Sequence, residues 1–246
     1  MVCLLLCLAA PAAIPVAAAE QPEELLIGIE PEHNIFEHMK RYRLLAGYLS
    51  DQLGVKVNLT IMSRYGEVIK RFKTLKLDGA FLTSYTATMG IKELGLEPLV
   101  NPVNLSGEST SQGYIFVRKD SGIRDVNSHD SAIFAVLDGR ADIGAAKNTV
   151  FNKLVHDDPS IQQELEIIAQ SPKVPEITLC IRKEIDPELR EKLSAVLLQM
   201  DQTPQGREVL KQFKALRFVK SYKTDFVRVE EMAQEARAAI AEHGRD

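Results

Sequence analysis

The chain has 246 residues, of which 45% are hydrophobic and 26% are charged, a composition typical of a soluble globular protein. Lysine and arginine number 30 against 34 acidic residues, which gives a net charge of −4. This balance excludes the strongly basic character typical of proteins that bind nucleic acid or anionic membrane surfaces.

The first 19 residues form an uncharged, mostly apolar stretch that ends in Ala17, Ala18 and Ala19. This pattern predicts a secretory signal peptide cleaved near Ala19, too short to span a membrane. A buried N-terminal helix also fits the pattern, and the lack of a basic residue before the apolar run leaves open a start codon further upstream. After cleavage, Cys180 would be the only cysteine, so we expect no internal disulfide.

The first part of the chain alternates strand and helix patterns. This β-α-β-α-β-α order predicts an open, mainly parallel sheet with helices on both faces, and ligands at the carboxyl ends of its strands. The patterned segments are residues 25–29 (strand), 35–53 (helix, ended by Gly54), 55–61 (strand), 65–75 (helix), 78–82 (strand) and a helix from about Thr83.

The second part of the chain is more interrupted. Residues 97–113 are rich in Pro, Asn, Ser and Gly, which predicts a loop crossing from a first lobe to a second. Residues 171–175, with two prolines, predict the return crossing. The other patterned segments are residues 114–117 (strand), 131–137 (helix), 141–145 and 165–169 (strands), and 187–200, 204–213 and 226–241 (helices).

Short motifs follow one another in a fixed order. They are GIEP from Gly28, LTSY from Leu82, YIFVRKDSGI from Tyr114, SHDSAI from Ser128, VLDGRADIG from Val136, AAKNTVF from Ala145 and SPKVP from Ser171. With these motifs, residues 25–226 resemble the substrate-binding proteins of phosphate, phosphite and phosphonate ABC importers. The resemblance implies an α/β fold of the type II periplasmic binding protein kind. It has two lobes, residues 24–104 plus 176–246 and residues 105–175, each with a central, mainly parallel sheet flanked by helices.

The chain departs from this family between Ile123 and Ser128, where only four residues intervene. Family members are longer by roughly forty residues at this point, a difference large enough to hold whole elements. In those family members, the additional segment contains a strand and a Ser-Thr-Ser-Gly-like turn. This turn begins a helix and binds the phosphoryl oxygens of the ligand. The resemblance therefore implies a reduced second lobe, with a gap in its sheet that leaves backbone groups unpaired.

A tetrahedral oxyanion bound without a metal needs converging neutral donors, such as helix N-terminal amides, hydroxyls and an imidazole. The resemblance implies that a phenol, an imidazole and an acceptor carboxylate of the protein contact the ligand. The first turn of the helix after Leu82 supplies amides and hydroxyls. The candidate ligand-binding residues are Tyr65, Thr83, Ser84, Tyr85, His129 and Asp142. Aromatic packing explains Tyr65 equally well, and helix capping explains the others.

Two further polar segments are weaker candidates. Asn148 and Thr149 resemble helix caps more than ligand contacts. Residues 109–113 imitate the missing Ser-Thr-Ser-Gly turn, but they precede the Tyr114 strand and no helical pattern follows them. We expect a polar hinge loop at this point, with substitution for the lost site as the alternative.

The sequence offers little for an enzyme, a cofactor or a metal. It contains no Gly-x-Ser-x-Gly motif, no P-loop and no cysteine pair suited to zinc. His33 and His38, with neighbouring Glu32 and Glu37, are spaced i, i+5, whereas a helical metal site needs i, i+4. We therefore predict no catalytic residue, no metal and no cofactor.

The resemblance implies a monomeric periplasmic component of an ABC importer. It would close about a hinge on phosphate, phosphite or a phosphonate and deliver this small oxyanion to the transporter permease. We expect no nucleic-acid partner. Two alternatives remain: a sensory or interaction module that kept the fold but lost tight ligand capture, and a non-functional paralogue with an internal deletion.

Overall fold

In a computed structural model, the described residues are 24–30, 35–62, 68–74, 76–119 and 129–243. The predicted signal peptide, Tyr65 and the connection between Ile123 and Ser128 lie outside these ranges, as do the side chains of His33 and His38. Among the helices in the described ranges, none is long and apolar enough to cross a membrane.

Strands and helices alternate along most of the described chain. The strands are β1 Glu24–Ile29, β2 Lys56–Ile61, β3 Gly79–Leu82, β4 Glu97–Asn104, β5 Thr110–Ser111, β6 Gly113–Arg118, β7 Ile143–Lys147, β8 Leu165–Gln170, β9 Val174–Pro175, β10 Thr178–Ile181 and β11 Ala215–Lys220. The helices are α1 Ile35–Leu53, α2 Val68–Thr74, α3 Ser84–Leu94, α4 His129–Leu137, α5 Asn148–Asp157, α6 Ser160–Glu164, α7 Pro187–Leu198, α8 Pro204–Phe213 and α9 Val227–His243.

Six strands form the sheet of the first lobe, in the order β11-β4-β10-β3-β1-β2. β1 pairs in parallel with β2 and β3, whereas β10 is antiparallel to β3 and β4, and β11 is antiparallel to β4. Strands β1, β2, β3 and β4 therefore run in one direction, which confirms the mainly parallel α/β sheet expected for this lobe.

The prediction of a loop over residues 97–113 is wrong in its first half, because Glu97–Asn104 is the strand β4. Its side chains Leu99, Val100 and Val103 are buried, and the strand pairs on both edges with β10 and β11. Burial of apolar side chains between two neighbouring strands outweighs the turn tendency of its prolines.

The second lobe contains a three-stranded sheet in the order β7-β6-β8. Both pairings with the central strand are antiparallel, where we expected a mainly parallel sheet. The reason is topological: α5 and α6 carry the chain from β7 across to β8, so these two strands run together while β6 runs against them. The gap expected in this sheet is also absent from the described strands, because β7 pairs with β6 from Val117 back to Gly113.

Two chain segments connect the lobes. β5 leaves the first lobe and β9 returns to it, and the two form a short antiparallel ribbon in which Thr110 pairs with Pro175 and Ser111 with Val174. Gln112 and Ser171 join the segments further, since the Gln112 side-chain amide donates to the Ser171 carbonyl at 2.8 Å. The polar segment at residues 109–113 is therefore part of the connection between the lobes.

Each lobe has its own hydrophobic core. In the first lobe, α1 packs its buried face on the sheet, and Tyr42 makes edge-on ring contacts at 5.0 Å with Phe81 of β3 and Phe213 of α8. In the second lobe, Phe116 of β6 is fully buried and its ring lies 5.3 Å from that of Phe151 in α5. Cys180 is a free thiol inside the first lobe, where burial raises its pKa far above the usual range.

Candidate functional site

A cleft of about 780 Å³ lies between the two lobes. The first lobe contributes the beginning of α3, part of α1 and the end of α8, and the second lobe contributes the end of β7 and the beginning of α5. The connecting segments lie along it as well. This arrangement follows from the topology, since α3 begins where β3 ends and α5 begins where β7 ends.

The N-terminus of α3 lies at the cleft. Its N-cap residue is Thr83, and the first helical hydrogen bond runs from the Ala87 amide to the Thr83 carbonyl at 2.8 Å. In the described structure, the amides of Ser84, Tyr85 and Thr86 have no acceptor. Three free N–H groups together with the positive end of the helix dipole form a site that attracts an anion.

A buried carboxylate holds this helix end in place. Glu30, at the end of β1, is 0% exposed, and its Oε2 accepts a hydrogen bond from the Thr83 amide at 2.7 Å and another from the Thr86 hydroxyl. The bond to the N-cap residue orients α3 relative to β1. Sequence reasoning placed Glu30 in a motif but gave it no role, and the available signal was an acidic residue directly after a buried apolar strand.

A second helix N-terminus faces the cleft from the other lobe. Lys147 precedes α5, and Thr149 and Val150 of its first turn line the cleft. Asn148 fixes this end of the helix, because its amide donates to the Gln112 carbonyl at 2.8 Å and its Oδ1 accepts from the Gln112 amide at 2.9 Å. The second lobe therefore offers helix amides at the cleft, opposite those of α3.

Two contacts tie the cleft walls to the returning segment. The Ser84 hydroxyl donates to the carbonyl of Pro175 in β9. Lys147 forms a 2.9 Å ion pair with Glu176, and both side chains are largely buried. These contacts span the boundary between the lobes, so the relative position of the lobes depends on them.

Arg41 lines the cleft from α1 and was missed by sequence reasoning. In the described structure its guanidinium has no hydrogen-bond acceptor and no carboxylate within ion-pair distance, and its Nε is buried. A buried donor without an acceptor costs about 1–3 kcal/mol. The signal was present in the sequence, because Arg41 lies four residues before Leu45 and eight before Leu49, on the apolar face of the helix.

Lys214 lines the cleft at the end of α8, with φ 62° and ψ 41°. This left-handed conformation favours glycine and costs other residues about 1 kcal/mol. Its amine has no partner among the described residues. Three cations, Arg41, Lys147 and Lys214, line the cleft against the carboxylate of Glu176, so the described lining has excess positive charge although the whole chain is negative.

The structure brings only part of the predicted site together. Thr83, Ser84 and Tyr85 all line the cleft. The Tyr85 ring is 49% exposed, and its hydroxyl accepts a 3.3 Å hydrogen bond from Arg237 of α9. Tyr85 therefore joins the cleft to the last helix.

The other predicted residues are placed differently. Asp142 precedes β7, whereas the cleft is lined by Ala145, Ala146 and Lys147 at the other end of that strand. Asp142 is not among the lining residues, and at about 3.3 Å per residue it lies roughly 10 Å along the chain from Ala145, the first residue of this strand that lines the cleft. His129 begins α4 but its side chain is not described, and Tyr65 lies outside the described residues, so both remain predictions.

Metal ligands are not clustered in the described residues. Within these ranges, no group of three or more His, Cys, Asp or Glu side chains is arranged to hold a metal ion. The cleft chemistry is that of backbone amides, hydroxyls and cationic side chains, which suits an oxyanion.

Comparison with known proteins gives a family match over most of the chain. The family model described as the periplasmic substrate-binding protein of phosphonate ABC transporters matches residues 27–128 and 123–226. The two matches overlap over residues 123–128, the short connection at which the sequence departs from the family pattern. This overlap agrees with a reduced second lobe.

Solved structures with the same fold include three from bacteria. A binding protein component of an ABC phosphonate transporter from Pseudomonas aeruginosa is 17% identical, covers 90% of this chain and 89% of its own, and has a TM-score of 0.71. PhnD1 from Prochlorococcus marinus, in complex with methylphosphonate, is 18% identical over 88% of this chain and 99% of its own, with a TM-score of 0.70. A Xanthomonas citri protein bound to ATP is 18% identical over 88% and 98%, with a TM-score of 0.72.

Proposed function

This chain belongs to the family of periplasmic substrate-binding proteins of phosphonate ABC transporters, and we propose that it binds a phosphonate, phosphate or phosphite in the cleft between its lobes. The observation that carries the proposal is the meeting of two helix N-termini, α3 from one lobe and α5 from the other, at one cleft. An anion between them would receive amide hydrogen bonds from both sides. The methylphosphonate complex of PhnD1 supports this ligand class.

In this proposal, binding closes the lobes about the two connecting segments. An anion that contacts both helix ends stabilises the closed arrangement more than the open one, so it shifts the population towards closure. The paired strands β5 and β9 supply a short ribbon about which the lobes rotate. The closed monomer would then be recognised by the transporter permease, after export of the chain and cleavage near Ala19.

Among the predicted residues, Thr83, Ser84 and Tyr85 have the positions that the proposal needs. Tyr65 and His129 remain candidates for further contacts, and Asp142 is left out because β7 holds it away from the cleft. The proposed activity is binding and delivery without chemical change of the ligand, which accords with the family.

Replacing Ser84 with proline tests the role of the α3 amides. Proline at the first helical position removes one N–H without breaking the helix, and Thr83, at φ −69° and ψ 165°, already has the extended conformation that precedes proline. We expect Ser84→Pro to bind methylphosphonate at least about tenfold more weakly than Ser84→Ala, because one hydrogen bond to a charged ligand is lost. Ser84→Ala is the matched control, since both variants lose the hydroxyl bond to Pro175.

Isothermal titration calorimetry with phosphate, phosphite and methylphosphonate provides the measurement, with thermal unfolding to establish that both variants are folded. Equal affinity of the two variants would contradict the use of this amide. No saturable heat from any of the three ligands with the natural chain would overturn the proposed function and favour a module that lost ligand capture.

A further inference from the structure

Arg41 and Lys214 lie on one wall of the cleft. Their chain neighbours Tyr42 and Phe213 are in ring contact at 5.0 Å, which joins the beginning of α1 to the end of α8. Tyr42 also contacts Phe81 at 5.0 Å, and Phe81 lies just before the N-terminus of α3. The two cations therefore belong to elements packed against β3, the strand that leads into α3, and they line the same cleft as the α3 amides.

The charge of this wall is not balanced within the described structure. Lys147, in the same cleft, is paired with Glu176 at 2.9 Å, whereas neither Arg41 nor Lys214 has a carboxylate within ion-pair distance among the described residues. The buried Nε of Arg41 also forgoes a hydrogen bond. A ligand with a negative group beside Arg41 would supply the missing acceptor and balance the positive charge of the lining.

The backbone conformation of Lys214 also favours a role for this residue in ligand binding. Its left-handed backbone at the end of α8 is a position where glycine is usual, so lysine at this position destabilises the fold slightly. Strained backbone conformations are enriched at functional sites. Lys214 is part of the cleft lining.

The size and the lining of the cleft indicate that its ligand is larger than a single tetrahedral anion. Its volume of about 780 Å³ lies within the range of pockets that hold drug-sized organic ligands, and a single tetrahedral anion fills only a small part of it. Pro102, Ile177 and Phe213 are among the apolar residues of its lining. The cleft therefore has room for an organic body between the helix ends and the cationic wall.

We infer that the natural ligand carries a second acidic group besides its phosphonyl or phosphoryl head, and that Arg41 and Lys214 bind it. The inference rests on the proposed function, because the head must occupy the helix N-termini. A carboxylate and a second phosphate share the required chemistry, and Arg41 offers the planar, two-pronged donor that suits both.

The test compares ligands with and without a second acidic group. Propylphosphonate, phosphonocarboxylates with chains of two to five methylenes, and a diphosphate ester are titrated into the natural chain by calorimetry. We expect a phosphonocarboxylate or the diphosphate to bind at least about tenfold (about 1.4 kcal/mol) more tightly than propylphosphonate. The tighter of the two identifies the second group as a carboxylate or a phosphate.

Variants assign the effect to the cationic wall. Arg41→Gln and Lys214→Gly should each weaken binding of the doubly acidic ligand at least about threefold more than binding of propylphosphonate, because only the doubly acidic ligand loses the partner of its second group. Arg43→Gln is the control for a charge on the same helix, since Arg43 is exposed. Lys76→Gly is the control for Lys214→Gly, because Lys76 also has a positive φ, 51°, and does not line the cleft.

The outcomes separate the two proposals. If propylphosphonate binds as tightly as every doubly acidic ligand, or if Arg41→Gln and Lys214→Gly leave the preference unchanged, the inference is overturned while the proposed function stands. If no phosphonate, doubly acidic ligand, phosphate or phosphite binds, both are overturned.

Discussion

Glu30→Ala is expected to lower the free energy of unfolding by about 3 kcal/mol, because it leaves two buried donors without an acceptor at about 1–3 kcal/mol each and opens a cavity. The donors are the Thr83 amide and the Thr86 hydroxyl, which both bond to Glu30 Oε2. Since these bonds orient the N-terminus of α3, hydrogen exchange of the first-turn amides should also become faster.

Two control variants separate the loss of these hydrogen bonds from the loss of a carboxylate in general. Glu24→Ala removes a carboxylate from the same strand, but Glu24 is exposed and bonds only to Asn58 among the described residues, so we expect a change within about 0.5 kcal/mol. Glu30→Gln keeps an acceptor oxygen and should lose less than half as much as Glu30→Ala. Urea denaturation measures all three, and equal stability of Glu30→Ala and Glu24→Ala would contradict the role of Glu30.

Gly144→Ala is expected to destabilise the second lobe by about 2–3 kcal/mol through overpacking. A Cβ at Gly144 would lie within 2.5 Å of the Phe116 ring and 3.0 Å from Val136 Cγ2. Phe116 and Val136 are both fully buried, so neither can move aside without disturbing the small core of this lobe.

Gly113→Ala is the matched control in the same sheet, because a Cβ there meets only Ser171 at an ordinary 3.6 Å. Hydrogen exchange followed by mass spectrometry distinguishes the lobes. Faster exchange in β6 and β7 with little change in β1 and β3 is expected for Gly144→Ala. Slow exchange in β6 and β7 in this variant would mean that the second lobe is packed differently.

Much of the first lobe was predictable because its elements carry strong periodic signals. The helix from Ile35 to Leu53 was predicted with the bounds it has, since its apolar residues recur on one face and Gly54, at φ 71°, ends it. The strands β1, β2 and β3 were predicted from apolar runs and alternation, and each differs from its predicted range by one residue at most.

The missed strands belong to a sheet that the local pattern does not reveal. β4 contains Pro98 and Pro102, and β11 lies between two predicted helices, in residues 214–225, where the local pattern predicted no element. Both are strands because partners from distant parts of the chain pair with them, β10 with β4 and β4 with β11. Tertiary pairing of this kind overrides local propensity and is not visible in a short window.

The candidate site was predictable where it depends on helix ends and not where it depends on packing. Thr83, Ser84 and Tyr85 follow a strand and open a helix, so their place at the cleft could be expected. Arg41 and Lys214 are brought to the cleft by the contact between α1 and α8, which only the folded chain provides. Asp142 was predicted to lie in a strand over residues 141–145. The observed strand β7 begins at Ile143, and its far end lines the cleft.

The proposed function depends on two helix N-termini from opposite lobes that bind one oxyanion. Amide chemical shifts in a ¹⁵N-labelled sample, followed while methylphosphonate is added, test it directly. We expect the amide shifts of residues 84–86 at the start of α3 and of residues 149–150 at the start of α5 to change together, with one saturation curve. Saturable shifts confined to other residues, with both helix ends unchanged, would contradict it.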